Sequence, residues 1–173
     1  MMEKKMRRHK QRIPLHETKE ILMNSTNGIL SLVDIDEQPY GVPLSFAYDN
    51  DTSIYIHSAS AGHKIDCITH NPSCCFTVVA QDDIVPEEFT TYFRSVIVKG
   101  KIHKVDSQEE MLKGLLLLCE KYSPDIDSKS EISKCMDHVA VFRIDIEDMK
   151  GKEAIELVRA RSETFSSSHL FSK

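Results

Sequence analysis

The chain has 173 residues, of which 40% are hydrophobic and 28% charged, and its formal net charge is −5 at pH 7. This length predicts one domain with a hydrophobic core of its own. The negative charge argues against a nucleic-acid-binding protein, because such domains are normally basic. No apolar run reaches the roughly 18 residues of a membrane-spanning helix, so we expect no membrane partner.

The cysteines and the basic N-terminus both favour a cytoplasmic protein over a secreted one. The cysteine count is odd and two cysteines are adjacent, which makes a poor disulfide framework and a normal set of reduced thiols. Residues 4–12 carry six lysines and arginines, but no apolar segment follows them, so they are not a secretory signal. We predict a solvated basic arm here, with a patch for an anionic partner as the alternative. The cysteines are Cys67, Cys74, Cys75, Cys119 and Cys135.

The first part of the chain predicts a helix followed by three strands joined by short turns. Apolar and β-branched residues dominate each strand, and turn-forming residues separate them. Gly28 is a stop signal for the helix, in which Ile21 and Leu22 face inward. The predicted helix covers residues 15–27, and the strands cover residues 28–34, 40–49 and 53–57.

The second part predicts longer strands separated by helices and an acidic loop. Gly100 indicates a β-bulge in the longest strand. Ser107 and Glu110 form a capping box at the start of a leucine-rich helix, whose inner stripe we expect to be Leu112, Leu115, Leu116 and Cys119. The predicted strands are residues 73–81, 91–105 and 138–148, the loop is residues 82–90, and the helices are residues 62–71, 107–122 and 130–136.

These elements predict a mainly β protein with flanking helices. Hairpin-linked strands with few helices favour an antiparallel sheet, and about six strands of this length usually close into a barrel because closure removes open edges. We predict a basic arm over residues 1–12, a barrel domain over residues 13–150, and a tail over residues 151–173. The tail is expected to be partly helical, over residues 153–160, and then flexible in its serine-rich end.

A strand-to-helix break at Tyr55–Asp66 is the first candidate site. The strand ends in small residues, and a helix restarts just where His63 and Lys64 appear. Backbone N–H groups at a helix start are unpaired and carry the positive end of the helix dipole, so they favour a phosphate. A lysine at this position is unfavourable for the helix alone, which indicates a ligand role.

Pro43, inside the second predicted strand, is the second candidate. Proline cannot donate a hydrogen bond to a neighbouring strand, so Pro43 marks a sheet edge, a bulge, or a point where a ligand replaces a strand.

Other chemistries fit the sequence poorly. Cys67 and His70 share a helix face, but Cys74 and Cys75 point to opposite faces of a strand and cannot both join one tetrahedral metal site. The acidic loop lacks the spacing of a calcium loop, and no serine or cysteine nucleophile is paired with a histidine. We therefore expect no metal site.

The ordered set of motifs resembles the pyridoxamine 5′-phosphate oxidase-like superfamily of FMN-binding split barrels, and within it the nitroimidazole-resistance (Nim-like) flavoproteins. The resemblance covers roughly residues 12 to 152. The motifs are Gly28-Ile-Leu-Ser-Leu-Val-Asp34, Gln38-Pro-Tyr-Gly-Val-Pro-Leu44, Ile54-Tyr-Ile-His-Ser-Ala59, Gly62-His-Lys64, Asn71-Pro72, Cys75-Phe-Thr-Val-Val79, Ser95-Val-Ile-Val-Lys-Gly100, Lys121-Tyr-Ser-Pro124 and Ile144-Asp-Ile146.

The resemblance implies a six-stranded antiparallel split β-barrel, a homodimer, and FMN at the dimer interface. It implies that one strand runs along the flavin, that another strand end meets the ribityl phosphate, and that a basic pair binds the phosphate. Where the oxidase usually has Ser-Arg-Lys, this chain has Gly62-His-Lys64, so an always-charged fork is replaced by a histidine. The implied FMN contacts are Val42, Pro43, Leu44 and Ser45 along the flavin, His57, Ser58, His63 and Lys64 at the phosphate, and Ser95, with Arg94 a weaker candidate.

The function that this resemblance implies is an FMN-dependent oxidoreductase acting on a small organic molecule, with nitro compounds as the Nim-like substrates. No side chain is compelled to be its acid or base. Pyridoxamine 5′-phosphate oxidation is an enzymatic alternative, although the tail offers only Arg159 and Arg161 for a substrate phosphate. A non-catalytic FMN or haem carrier or sensor is the alternative from another class, with axial ligands available among His57, His63, His70, His103 and His138.

Overall fold

The computed structural model of the chain describes residues 6–136 and 138–168, with only the backbone described at residues 135 and 162–168. This part of the chain forms eight strands and five α-helices. The strands are β1 (Arg12–Ile13), β2 (Gly28–Val33), β3 (Pro39–Leu44), β4 (Ala47–Tyr48), β5 (Ser53–Ser58), β6 (Ser73–Val85), β7 (Thr90–Lys104) and β8 (Ala140–Glu153). The helices are α1 (Leu15–Asn24), α2 (His63–His70), α3 (Gln108–Tyr122), α4 (Lys129–Cys135) and α5 (Ile155–Ser168).

All strands belong to one curled antiparallel sheet. Its order is β3-β2-β6-β7-β8-β5-β4, and β1 pairs with β8 outside this path. Six of the strands have six residues or more, while β1 and β4 have two each. The prediction of a mainly β, split-barrel fold with flanking helices is confirmed. The single strand predicted over residues 40–49 is interrupted, since β3 ends at Leu44 and β4 begins at Ala47, and β1 is one short strand more than expected.

The core fills the concave side of the sheet. Alternate residues of β2, β6 and β7 point inward, as the period of two in a strand requires. α1 closes one end of the barrel by burying Leu22. The largest members of this core are Phe46, Phe76, Phe142, Leu30, Ile54, Ile56, Ile102 and Ile144, all at most 1% exposed.

A second apolar cluster lies between α3 and the outside of the sheet. Tyr55 and Val141 project outward from β5 and β8 and pack against Leu115. β5 is therefore covered on both faces, which explains its nearly continuous apolar run.

The rotation of α3 differs from the predicted stripe. Leu115 and Leu118 are buried, but Leu112 and Leu116 are 40% and 43% exposed. Because α3 has four consecutive leucines, the sequence pattern does not determine which face of the helix is buried. Gly114 determines it, since a Cβ at this position would lie 2.8 Å from the Tyr55 ring and the glycine lets this face of the helix approach β5 closely.

The predicted acidic loop over residues 82–90 is wrong. Residues 82–85 continue β6 and pair with residues 90–93 of β7, and the chain reverses only at Pro86–Glu88 and Phe89. This two-stranded ribbon, residues 82–93, is largely exposed to solvent, so its acidic residues need no buried partners. Its sequence therefore lacks the alternation of apolar and polar residues that identifies a half-buried strand. A register shift does occur between Lys99 and Gly100, but the extra residue is Glu147 of β8, so the bulge predicted in the longest strand lies in its neighbour.

Both ends of the described chain are more ordered than expected. Gln11 is 3% exposed and Ile13 pairs with Gly151, so this part of the arm packs on the barrel. β8 continues past residue 150 to Glu153, and the backbone of α5 is helical through the serine-rich segment predicted to be flexible. Residues 1–5 of the arm and residues 169–173 of the tail lie outside the described residues. No helix in the described part is long and apolar enough to cross a membrane.

Candidate functional site

The edge strand β3 offers an open backbone edge. It is the last strand of the sheet order and pairs only with β2. Asp34 donates its backbone N–H to the Gln38 carbonyl at 2.9 Å. Because hydrogen-bonded and non-hydrogen-bonded residue pairs alternate along an antiparallel hairpin, this bond determines which residues of β3 bond to β2. Pro39, Gly41 and Pro43 then direct their backbone away from β2, where the missing N–H of proline costs nothing. An edge position for Pro43, one of its predicted alternatives, is thereby confirmed.

The predicted flavin-flanking residues divide between the two faces of β3. Val42 and Leu44 are half-buried and pack against the core, whereas Pro43 and Ser45 are exposed. A ligand along this strand would therefore contact the exposed backbone and the Pro43 ring, while the inward side chains hold the strand in place.

The break between β5 and α2 forms an uncapped helix start. β5 ends at Ser58, and α2 begins at His63 after a loop of small residues. The N-cap residue Gly62 has φ of 124°, a conformation that favours glycine, and a Cβ there would meet open space. No described side chain caps α2, so its first N–H groups remain available to an anion. His57 is exposed and Ser58 half-buried at the strand end.

Lys64 brings a positive charge to this helix start. The side chain is half-buried, and burial lowers the pKa of its ammonium group from the ordinary value. No described residue forms a hydrogen bond or an ion pair with this ammonium. A partly desolvated cation without an anion fits a site whose counter-charge comes from a ligand.

His63 connects the helix start to the edge strand. Its ring meets the Tyr40 ring edge-on, with centroids 4.6 Å apart, and its Nε2 lies 3.8 Å from the Cys67 Sγ. The structure therefore places the two predicted halves of the site side by side, with β3 next to the start of α2. Sequence reasoning missed Tyr40, although its position in the Gln38–Leu44 motif was available.

Ser95 is not part of this group in one chain. It lies on β7, opposite Val79 of β6 and Lys152 of β8. Three strand spacings separate β7 from β3 in the sheet order, which is about 14 Å. Only another copy of the chain could bring a Ser95 to β3.

Sequence reasoning also missed a clamp at the exit of β3. The Tyr122 hydroxyl accepts a hydrogen bond from Phe46 N at 2.9 Å and lies within hydrogen-bond distance of the carbonyls of Phe46 and Thr26. Lys121 Nζ lies 3.9 Å from the centre of the Phe46 ring and donates to the Leu22 carbonyl at 3.2 Å. Burial lowers the pKa of this lysine to about 8. The clamp fixes the residue that directly follows Ser45.

The thiols of Cys67 and Cys74 are poor reactive groups. Cys67 and Cys74 are buried, and burial raises the pKa of the Cys74 thiol to about 12. Among the described residues, no group of three or more His, Cys, Asp or Glu side chains is arranged to hold a metal ion.

A cavity of about 560 Å³ lies between α1, the loop after it, and the bulged part of β6. None of the nine predicted cofactor contacts lines it, but Arg94 does. Its other lining residues are Glu17, Glu20, Ile21, Asn24, Ser25, Thr26, Asn27, Val79, Ala80 and Gln81.

Solved structures share this fold. A candidate 5-nitroimidazole antibiotic resistance protein from Bacteroides thetaiotaomicron is 26% identical, with a TM-score of 0.71 over 82% of this chain and 86% of that chain. A FAD-binding protein from Mesorhizobium loti is 25% identical, with a TM-score of 0.62 over 83% of this chain and 96% of that one. A FAD and haem binding protein from Mycobacterium smegmatis is 15% identical, with a TM-score of 0.71 over 83% and 73%, and shows the fold alone. A search of curated protein sequences found no match.

The family model for pyridoxamine 5′-phosphate oxidase matches residues 15–153, which spans the sheet from α1 to the end of β8. This range contains every residue of the edge strand, the α2 start and the β3 clamp. The resemblance to this superfamily and to its Nim-like members is thus confirmed. The chain belongs to the pyridoxamine 5′-phosphate oxidase family.

Proposed function

We propose that the chain is a flavin-dependent oxidoreductase that binds FMN between two copies of itself and reduces a small organic molecule. The observation that carries the proposal is the uncapped start of α2 beside the open edge of β3, with a Lys64 ammonium that has no partner among the described residues. The family and a FAD-binding relative with the same fold support a flavin as the ligand.

The phosphate of FMN would bind at the α2 start. The N–H groups of His63 and Lys64 and the ammonium of Lys64 would hold its charge, and the Ser58 hydroxyl would donate a hydrogen bond. The isoalloxazine would lie along Val42–Ser45, where it supplies the electron transfer while the protein orients it and excludes water.

A homodimer would complete the site. The convex face of the sheet exposes Ile29, Val79 and Ile97, at 44%, 60% and 45%, and Ile29 and Ile97 lie in one cross-strand row through Thr77. Exposed apolar side chains grouped on one face indicate an interface. Covering this face with a second copy would bring a partner Ser95 towards β3.

Sedimentation of the purified protein should give a dimer, and Ile97→Asp should give monomer with reduced FMN binding.

Nitro compounds are the proposed substrates, since the chain is similar to a candidate nitroimidazole resistance protein. Pyridoxamine 5′-phosphate oxidation is less well supported. Arg161, one of the two tail arginines considered for a substrate phosphate, already binds Glu153 through two contacts of 2.6 and 2.7 Å.

Substitution of Lys64 tests the phosphate site. Lys64→Ala should weaken FMN binding by about 1.5–3 kcal/mol, because one charge-assisted hydrogen bond to the phosphate is lost. Flavin fluorescence titration measures the affinity, and Lys104→Ala, at the exposed end of β7, serves as the control. Equal FMN affinity in Lys64→Ala and the wild type would place the phosphate elsewhere. Turnover of a nitro compound by the reduced flavoprotein then separates an enzyme from a flavin carrier.

A further inference from the structure

The cavity between α1 and β6 contains an oriented arginine. Arg94 Nε lies 3.3 Å from Glu153 Oε2, and Glu153 is only 2% exposed. Arg161 holds the same carboxylate from the other side through two short hydrogen bonds. The Arg94 guanidinium is therefore anchored from behind by a buried, fixed carboxylate.

The remaining N–H groups of Arg94 are available to a ligand. The side chain is 39% exposed and lines the cavity. Its buried Nε forms the ion pair with Glu153 without a hydrogen bond, and no described residue accepts a hydrogen bond from the rest of the guanidinium. A fixed guanidinium fork matches a planar group with two acceptor oxygens. Carboxylates and nitro groups both have this geometry.

The opposite wall of the cavity is acidic. Glu17 and Glu20 stand one helical turn apart on α1 and both line the cavity. Glu17 is engaged by Arg161 at 2.8 Å, whereas Glu20 has no described ion-pair partner. This wall favours a hydrogen-bond donor or a cationic nitrogen. The volume of about 560 Å³ is in the ordinary range for a small-molecule site.

We propose that this cavity binds a small dipolar molecule, whose planar two-oxygen group, a carboxylate or a nitro group, lies on Arg94 and whose N–H donor faces Glu20. Its role as the substrate subsite rests on the proposed function. One link connects it to the proposed flavin strand, because the Tyr122 hydroxyl contacts the carbonyl of Thr26 in the cavity wall and the carbonyl of Phe46, next to Ser45.

Three matched probes test the assignment by calorimetry on the full chain: 4-nitrobenzylamine, 4-(aminomethyl)benzoate and benzylamine. The two probes with an acceptor group should bind about tenfold or more tightly than benzylamine, because they add a charge-assisted contact to Arg94. The tighter of the two identifies whether the site prefers nitro or carboxylate. In flavin-loaded protein, 4-nitrobenzylamine should also shift the flavin absorption bands.

Variants of the cavity separate its two walls. Arg94→Gln should weaken both acceptor probes about tenfold or more and leave benzylamine unchanged, while Glu20→Gln should weaken all three. Arg94→Lys keeps the charge without the guanidinium fork, so its affinity for the acceptor probes should lie between those of the wild type and Arg94→Gln. This variant also tests the assignment if Arg94→Gln does not fold. Lys104→Gln, on the same strand, should match the wild type.

The two proposals fail separately. Equal probe affinities in the wild type and Arg94→Gln, or no saturable binding of either acceptor probe, would overturn the cavity assignment whatever FMN does. Probe binding without any shift of the flavin bands would overturn its role as the substrate subsite. Probe binding by a protein that takes up no flavin would leave the cavity assignment supported and overturn the proposed function.

Discussion

Tyr122 shows how a single hydroxyl stabilises the exit of the edge strand. Tyr122→Phe removes the partner of Phe46 N and leaves the Thr26 carbonyl without its donor. We expect a loss of about 1–3 kcal/mol in the free energy of unfolding, chiefly the cost of leaving the part-buried Phe46 N–H unsatisfied. Urea denaturation measures it.

Tyr92→Phe is the matched control, because the Tyr92 hydroxyl donates to Glu88 on the exposed ribbon. It should change the stability by less than about 0.5 kcal/mol. A Tyr122→Phe protein as stable as Tyr92→Phe would contradict the clamp.

Lys121 predicts a pH dependence of stability. Its pKa is lowered from 10.5 to about 8 by burial, so between these values the unfolded chain keeps a proton that the folded chain has lost. The unfolded state then binds more protons, and this group makes stability rise as pH increases above about 8. Lys121→Met should remove that contribution. The measurement is the difference between the unfolding free energies of the two proteins at pH 7 and pH 9.5, and a constant difference would contradict the lowered pKa.

At the scale of elements, most strands could be predicted but their limits and partners could not. β2 and β5 have dense apolar and β-branched runs, so their existence followed from pattern alone. The strand over residues 82–85 was not predicted because both of its faces are exposed to water, so its apolar and polar residues do not alternate. The predicted buried face of α3 was wrong because the pattern does not distinguish its four consecutive leucines. The close contact between Gly114 and the Tyr55 ring decides which of them are buried.

Gly100 of β7 lies where its pairing with β8 shifts by one residue, and the close approach of the two strands there predicts a specific substitution effect. A Cβ at Gly100 would lie 2.0 Å from the Asp145 carbonyl oxygen, so Gly100→Ala must displace backbone. We expect it to lower the free energy of unfolding by about 1–3 kcal/mol, the usual range for overpacking.

Gly41→Ala is the control for this change, since the nearest atom to its Cβ is 3.7 Å away on Ile29. In flavin-free protein it should be neutral or slightly stabilising, because alanine loses less backbone entropy than glycine. Chemical denaturation of both variants compares them, and equal stabilities would show that the strands slide to absorb the new methyl group.

At the scale of the whole molecule, the candidate site was predicted from local features. The strand-to-helix break and Pro43 were visible because each depends on a few neighbouring residues. Tyr40 and Tyr122 stand in motifs visible in the sequence, but their contacts join residues far apart in the chain, so no local pattern could indicate those contacts. The same holds for the contact between Arg94 and Glu153. The place of Ser95 depends on a second copy of the chain and stays a prediction.

The central claim is that the α2 start and Lys64 bind the phosphate of FMN. Titration of the flavin-free protein with FMN, riboflavin and FAD, followed by flavin fluorescence, tests it most directly. Riboflavin has the same ring system without the phosphate, so FMN should bind at least about tenfold more tightly than riboflavin, a difference of about 1.4 kcal/mol. FAD should also bind more weakly than FMN. Equal affinities for FMN and riboflavin, or no binding of any flavin, would contradict the account.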